Sequence, residues 1–319
     1  QMVTQEGVNV EVVAIHGNFD DAQSAVKRIF TDEETRAKLD RDGMMLSSAN
    51  SINWGRLAPQ IAYYVSAYCD MVKSGAVKMG EKINICVPTG NFGNILAAYI
   101  AKRMGLPVNK FICASNRNNV LTDFFKNSGT YDKNRDFYTT TSPSMDILIS
   151  SNLERLLFFA SDFNDKLVAE LMQRLTTEGS YQAPEAVFAK IAADFDAGCC
   201  DDKQTAETIR ALWENEPYLS DTHTAVAVRV YEDYRARTGD QTPTVIASTA
   251  SPFKFCRSVI EALGGTLEKD DVSQLAVLTD LTGVPAPAPL AALADKQPRF
   301  DRVVDKSEIL STVDLLKDL

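Results

Sequence analysis

A short apolar segment that leads directly into a glycine-containing turn constrains the fold of this chain more than any other feature. Residues 83–87 are mostly apolar and predict a buried strand, and residues 88–94 (Pro-Thr-Gly-Asn-Phe-Gly-Asn) follow as a turn. Apolar residues then recur at helical spacing from position 95 to position 101. A strand, a tight turn and a helix in this order predict one unit of a parallel α/β sheet.

The same turn predicts an anion-binding loop. Glycines let the backbone turn tightly, so several amide N–H groups can point at one oxyanion, and the positive end of the helix adds to the attraction. A phosphate group suits such a loop. The spacing is neither that of a P-loop nor that of the dinucleotide fingerprint. On the residues alone, an ordinary strand-to-helix turn that uses Gly and Asn for left-handed backbone stays equally open.

The remaining pattern predicts an α/β fold with a parallel sheet, helices on both faces and a helical insertion. Residues 8–15, 110–114 and 244–247 each predict a strand, and the stretch from about 153 to 215 predicts helices only. Ligands of parallel sheets bind outside the carboxyl ends of the strands. We therefore expect the turn and the polar segment 115–119 to lie at one edge of the sheet.

One cluster of candidate site residues stands where a helix begins. Ser51, Asn53 and Arg56 combine a hydroxyl, an amide and a guanidinium group, and arginine suits bidentate contact with phosphate or carboxylate. Helix capping by Ser51 or Asn53, with Arg56 in solvent, is the alternative interpretation.

Three further residues are weak candidates when taken singly. The Thr249 hydroxyl follows a late strand and can reach a ligand at the sheet edge, although a capping role is also open. Lys254 is a candidate for Schiff-base chemistry or a solvated charge. His223 is a candidate cap, site residue or buried side chain.

Composition excludes several classes of protein. A net charge of −10 argues against a nucleic-acid partner, and no apolar run approaches the length of a membrane span. The six cysteines show no metal-type pairs and the two histidines lie far apart, so we predict no metal site. Reduced cysteines and the lack of a signal peptide predict a cytoplasmic protein.

Taken together, segments along nearly the whole chain resemble threonine synthase, a pyridoxal-phosphate (PLP) enzyme of fold type II. The helical middle resembles the insertion in the fungal and enterobacterial branch of that family. The segments that carry the resemblance are residues 50–56 (Asn-Ser-Ile-Asn-Trp-Gly-Arg), 88–94, 142–148 (Ser-Pro-Ser-Met-Asp-Ile-Leu), 151–157 (Ser-Asn-Leu-Glu-Arg-Leu-Leu), 221–225 (Asp-Thr-His-Thr-Ala) and 248–250 (Ser-Thr-Ala).

The resemblance implies conversion of O-phospho-L-homoserine and water into L-threonine and phosphate, with PLP as the cofactor. It places the pyridine nitrogen of PLP against the Thr249 hydroxyl, which as a neutral group moderates the electron sink. The cofactor phosphate is implied to bind Gly90, Asn91, Phe92, Gly93 and Asn94, and the substrate phosphate to meet Ser51, Asn53 and Arg56.

The resemblance also implies that the chain is part of a longer polypeptide. The chain opens with Gln1, and the family's Schiff-base lysine lies in a segment upstream of all the residues given. We do not assign that role to Lys254, because its motif, residues 251–255, matches a different position of the family. In that motif, Ser251 stands where the family often has histidine. We expect residues 1–46 to end a smaller α/β domain and residues 47–319 to form the large PLP domain. The missing N-terminal part is then a partner of this chain.

Two other functions stay open at this point. One is a different lyase or dehydratase of PLP fold type II, which would form pyruvate or oxobutyrate from serine or threonine. The other is a non-catalytic, threonine-synthase-like binding protein that has lost its lysine. The upstream sequence and the substrate preference distinguish these alternatives.

Overall fold

The structure is a computed structural model that describes residues 2–17 and 19–317. The helices in this part of the chain are α1 (Phe19–Thr31), α2 (Glu33–Arg41), α3 (Trp54–Leu57), α4 (Ile61–Lys73), α5 (Gly93–Arg103), α6 (Val120–Lys126), α7 (Leu153–Ala160), α8 (Asp165–Thr177), α9 (Glu185–Asp194), α10 (Asp202–Asn215), α11 (Thr222–Thr238), α12 (Cys256–Ala262), α13 (Ser273–Thr282) and α14 (Ala288–Ala291). The strands are β1 (Ala14–Ile15), β2 (Ile83–Pro88), β3 (Val108–Ser115), β4 (Thr130–Asp132), β5 (Ser180–Gln182), β6 (Phe195–Cys199), β7 (Thr244–Ile246) and β8 (Val303–Val304).

A four-stranded parallel sheet in the order β6-β3-β2-β7 forms the centre of the fold. All six residues of β2 are buried, as expected for an apolar strand between two neighbours in a parallel sheet. The predicted strands at 83–87, 110–114 and 244–247 are confirmed by β2, β3 and β7. Their carboxyl ends lie at one edge of this sheet.

Helices cover both faces of the sheet, as predicted. On one face, Ile85 and Val87 of β2 join a core with Ile95 and Leu96 of α5. On the other face, Cys86 and Ile112 pack with Val226 and Val230 of α11. The sheet therefore holds its strands rigidly between two apolar layers, and the loops at its carboxyl edge start from fixed positions.

The prediction of an all-helical middle is wrong at two places. Phe195–Cys199 is β6, which pairs in parallel with β3, and Ser180–Gln182 is β5, which pairs antiparallel with β4. Phe195 continues the apolar spacing of α9 and was therefore expected in a helix. Instead its ring packs 5.0 Å from that of Phe111 and 5.3 Å from that of Phe125, and this tertiary packing overrides the local periodicity.

The strand predicted over residues 8–15 is also too long. Only Ala14–Ile15 is a strand, because its partner β8 offers two residues, Val303 and Val304. Ala25 and Ile29 of α1 pack beside this pair against Ile309. The N-terminal segment thus contacts the C-terminal one, and the predicted division at residue 46 stays a prediction.

Within the described residues, we find no helix with the length and apolar character that crossing a membrane requires.

Candidate functional site

The candidate anion-binding loop lies where β2 ends and α5 begins. The sheet ladder continues to Thr89, whose N–H donates to Ala114 O at 2.8 Å, and α5 starts only four residues later at Gly93. Phe92 completes the reversal with φ of 62°, in the left-handed region that non-glycine residues rarely adopt. A left-handed residue beside helical ones turns successive N–H groups toward the same side, which is the geometry of an anion-binding nest.

The backbone donors of this loop are free for a ligand. Within the part of the chain that the structure describes, none of the N–H groups from Gly90 through Ile95 donates to a protein acceptor, whereas Leu96 N–H already bonds to Phe92 O at 3.1 Å. The three groups at 93–95 are the orphan donors of the first turn of a helix, and those at 90–92 belong to the turn itself. Together they give a run of six amide donors with the positive end of α5 behind them.

The Phe92 side chain anchors the loop in the core. The side chain is only 1% exposed, and its ring lies 6.2 Å from that of Phe125 and 5.9 Å from that of Phe195. Phe92 is thus available to a ligand through its main chain alone. Its ring offsets the unfavourable backbone conformation by burying a large apolar area.

Gly90 is glycine because another segment of backbone lies against it. A Cβ at this position would come within 2.6 Å of the Ser144 carbonyl oxygen. The Ser150 hydroxyl also donates to Gly90 O at 2.7 Å. The loop is therefore held by the short 3₁₀ helix Pro143–Met145, which contains Ser144, and by Ser150 after that helix.

Gly93 brings one residue of the predicted substrate cluster to the loop. A Cβ on Gly93 would lie 2.6 Å from the Cβ of Ser51, and the Ser51 hydroxyl is nearer still. Buried Asn152 bridges the two segments, because its Nδ2 donates to Ser51 Oγ at 3.0 Å and to Asn91 O at 2.8 Å. Arg155 holds the same segment through Ser51 O at 3.0 Å.

The side chains of Asn91 and Asn94 are fixed by their neighbours. Asn91 Oδ1 accepts a hydrogen bond from the Ser151 hydroxyl at 3.2 Å. Asn94 Oδ1 accepts one from the Tyr64 hydroxyl. Burial raises the pKa of Tyr64 well above its ordinary value, so this phenol stays protonated and remains a donor.

The other two members of the substrate cluster lie near the surface. Asn53 caps α3, because its Oδ1 accepts from Gly55 N–H at 2.9 Å, and its Nδ2 donates to Ser48 O at 2.9 Å. Arg56 is exposed, and its Nε donates to Ala49 O at 3.1 Å. The capping interpretation of Asn53 is therefore realised, while Arg56 keeps its terminal nitrogens at the surface.

Thr249 lies at the same sheet edge as the loop. Its strand β7 is the neighbour of β2, and pairing continues to Ala247, whose N–H donates to Cys86 O at 2.9 Å. Two residues further on, the Thr249 side chain is exposed. Its hydroxyl is accessible at the carboxyl end of the strand beside β2.

His223 and Lys254 take different places. His223 is buried and contacts Asp221 at the start of α11, while Lys254 is exposed with its Nζ 5.5 Å from the centre of the Phe255 ring. His223 is thus neither exposed nor a simple cap, and Lys254 has the surface position of a solvated charge.

Sequence reasoning missed the residues that support the loop. Ser144, Ser150, Asn152 and Arg155 all contact the loop or Ser51 and received no role. The available signal was that residues 142–148 and 151–157 are among the segments that carry the family resemblance.

Comparison with known proteins gives consistent matches. The family model described as "Threonine synthase, C-terminal" matches residues 224–313. The chain is 43% identical over 289 residues to human "Threonine synthase-like 1", covering 89% of this chain and 38% of that protein. It is 39% identical over 265 residues to the threonine synthase of Pseudomonas aeruginosa, covering 82% and 53% respectively.

A solved structure resembles the whole chain. The crystal structure of PLP-bound threonine synthase from Brucella melitensis superposes with a TM-score of 0.80 at 36% identity, covering 100% of this chain and 62% of that one. The chain thus spans 38%, 53% and 62% of the lengths of these three proteins, less than two thirds in each case.

Proposed function

The chain is a threonine synthase-like protein of PLP fold type II, and from this premise we propose that it forms the cofactor-binding part of a threonine synthase. The proposed reaction converts O-phospho-L-homoserine and water into L-threonine and phosphate. The whole protein, including whatever part lies outside this sequence, carries that activity.

The run of free amide donors at the end of β2 supports this proposal most strongly. Six N–H groups from Gly90 through Ile95 have no protein acceptor within the described residues, and a phosphate monoester offers the charge and oxygen atoms that satisfy such donors. Glycine at positions 90 and 93 lets the loop pack directly against Ser144 and Ser51. The residues therefore fit the phosphate of PLP.

Thr249 is the proposed partner of the cofactor ring. When bound, PLP supplies an electron sink for the charge that develops when the substrate loses its Cα proton. The Thr249 hydroxyl is exposed at the neighbouring strand end and has no charge. A neutral hydroxyl against the pyridine nitrogen leaves that nitrogen largely unprotonated, which moderates the sink.

Ser51, Asn53 and Arg56 are the proposed contacts of the substrate phosphate; since Asn53 Nδ2 already donates to Ser47 Oγ and Ser48 O, the geometry supports Ser51 and Arg56 more strongly. The Ser51 hydroxyl accepts from Asn152, and within the described residues its own proton has no acceptor, so it can donate to an anion beside Gly93. Arg56 uses Nε for Ala49 O, and its two terminal nitrogens have no acceptor in the described part of the chain. A planar guanidinium with free terminal nitrogens suits a phosphate dianion.

The remaining components belong to the proposal as well. We assign the Schiff-base lysine and principal acid–base group to a part of the protein outside this sequence. Residues 1–46 are proposed to belong to the smaller domain, residues 47–319 to the large domain, and the protein to the cytoplasm.

The test uses the full-length protein. Purified protein should bind PLP, with the absorbance and fluorescence of a protein-bound cofactor, and release phosphate from O-phospho-L-homoserine with equal formation of threonine. Serine and threonine should yield no pyruvate or oxobutyrate. A protein that forms these oxoacids and releases no phosphate is a dehydratase, and threonine synthase activity is then ruled out.

A second candidate function is a PLP-binding, non-catalytic relative of threonine synthase. It is favoured by one observation: the identity to human "Threonine synthase-like 1" is 43%, above the 39% to the bacterial enzyme. Tight PLP binding without turnover of phosphohomoserine, together with loss of the lysine from the full-length sequence, would establish this alternative.

A further inference from the structure

A buried carboxylate and imidazole pair stands at the start of α11. Asp221 and His223 are 1% and 3% exposed. Asp221 caps the helix, since its Oδ1 accepts from His223 N–H at 2.8 Å, and the same oxygen lies 3.2 Å from His223 Nδ1. Burial alone would raise the pKa of Asp221, but the hydrogen bonds from His223 and Thr224 outweigh it and hold the pKa below its ordinary value. The carboxylate is therefore charged and requires a proton on Nδ1.

The other ring nitrogen of His223 serves as an acceptor. The backbone N–H of Ser144 points at Nε2 across 3.2 Å. A protonated Nε2 would bring two donors face to face, so this nitrogen is unprotonated and the ring is the neutral Nδ1–H tautomer. The Phe255 ring, with its centroid 4.7 Å away, packs against the imidazole and limits its rotation.

The Ser144 backbone also packs against the loop. Its carbonyl oxygen and the Met145 Cα lie 2.6 Å and 3.3 Å from the position of a Cβ on Gly90. Ser144 therefore donates its N–H to His223 and presents its carbonyl oxygen to Gly90, the first glycine of the loop. A shift of Ser144 would change the space in which Gly90 turns.

We propose that His223 is a positioning residue for the anion-binding loop, acting through its unprotonated Nε2 on the Ser144 backbone. Asp221 selects the tautomer, His223 holds Ser144, and Ser144 holds Gly90 in the conformation that directs the loop N–H groups at a phosphate. His223 itself is too deeply buried to contact a ligand. This inference rests on the proposed function, in that the anion is the phosphate of PLP.

The first experiment measures PLP affinity in variants of the full-length protein. His223→Gln retains an acceptor that can take the place of Nε2, whereas His223→Phe retains the ring shape and loses the acceptor. We expect His223→Phe to weaken PLP binding about tenfold, equivalent to one lost hydrogen bond, and to shift the ³¹P resonance of bound PLP. His223→Gln should stay within about threefold of the parent affinity. The control is His16→Gln, at the other histidine, which is exposed. This variant should change neither the PLP affinity nor the ³¹P resonance.

A second experiment needs no variant. Nitrogen-15 NMR of histidine-labelled protein near pH 7 should show His223 as the neutral ring protonated on Nδ1. The opposite tautomer or a charged ring would overturn the proposal even if His223→Phe fails to fold. Equal loss of PLP affinity in the Gln and Phe variants would overturn it too, because the acceptor would then be irrelevant.

The two hypotheses fail in different ways. If the parent protein binds no PLP, the proposed function and this inference both fall. If the parent binds PLP and His223→Phe binds it equally well with an unchanged ³¹P resonance, only the positioning role is refuted.

Discussion

The Cβ of Ser51 lies 2.6 Å from where a Cβ on Gly93 would stand, although the two residues are 42 positions apart in the chain, counting from 51 to 93. This close approach joins the segment predicted to meet the substrate to the first turn of the helix predicted to hold the cofactor. It leaves no room for any side chain at position 93.

Gly93→Ala should therefore destabilise the protein and weaken its binding of PLP. Overpacking of this kind costs about 1–3 kcal/mol, which exceeds the gain of placing alanine in a helix. Urea unfolding and PLP titration measure the two effects. The double variant Ser51→Gly/Gly93→Ala removes the opposing side chain and should regain most of the lost stability; no recovery would show that the contact is unimportant.

Asn152→Ala should lower stability and PLP affinity together. The change leaves Asn91 O without the Nδ2 donor and removes the support of Ser51. Asn91 O keeps the backbone N–H of residue 152 as a donor at 3.1 Å, so each lost side-chain hydrogen bond should cost about 0.5–1.5 kcal/mol. The matched control is Asn164→Ala, which deletes the exposed cap of α8 and should cost about 1 kcal/mol of stability without a change in PLP affinity. A loss of PLP affinity in both variants would mean that general destabilisation is responsible.

Thr249→Ala should affect the cofactor chemistry and leave the fold intact. Because Thr249 is exposed, the free energy of unfolding should change by less than about 0.5 kcal/mol. The absorbance spectrum of bound PLP and the rate of phosphate release should both change, since the ring nitrogen loses its proposed partner. Thr249→Ser retains the hydroxyl and should behave as the parent protein. An unaltered spectrum and rate in Thr249→Ala would remove this residue from the site.

Acid should abolish the stabilising contribution of Asp240. Burial would raise its pKa, but hydrogen bonds from Thr242, Tyr234 and Asn84 outweigh it and lower the pKa well below its ordinary value. A folded-state pKa below the unfolded value of about 4 stabilises the fold above pH 4, and this contribution falls as the pH drops toward the folded-state pKa.

Asp240→Asn is the variant that tests this dependence. Its free energy of unfolding should fall below that of the parent at pH 7, and the difference should narrow as the pH drops from 5 to 3. A difference that stays constant over this interval would exclude the carboxylate charge as the cause.

The local parts of the fold were predictable from the sequence. The apolar run of β2, the turn with Gly90 and Gly93 and the periodic start of α5 are encoded within about 20 consecutive residues, so their order predicted a parallel unit with an anion-binding loop. Strand β6 was missed because Phe195 fits the spacing of the preceding helix. Only its packing against Phe111 and Phe125, about 70 to 84 positions earlier, favours a strand.

The residues that support the loop could not be predicted from local sequence patterns, for a similar reason. Ser144, Asn152 and His223 reach Gly90, Asn91 and each other over sequence separations of 54 to 79 residues, and no periodicity marks such contacts. Gly90 to Asn94, Thr249 and the cluster of Ser51, Asn53 and Arg56 were candidates from the residues alone. The family resemblance assigned each a role, and these roles stay predictions.

The packing of the Phe92 ring connects the hydrophobic core to the loop that is proposed to bind phosphate. Because the ring at position 92 packs on Phe125 and Phe195, we expect a volume change at either partner to tilt the residue whose amide is proposed to face the anion. Selection or engineering can thus adjust how tightly a phosphate is held without altering any group that touches it. Substitutions at hydrophobic residues beneath the sheet edge are then a route to altered ligand affinity.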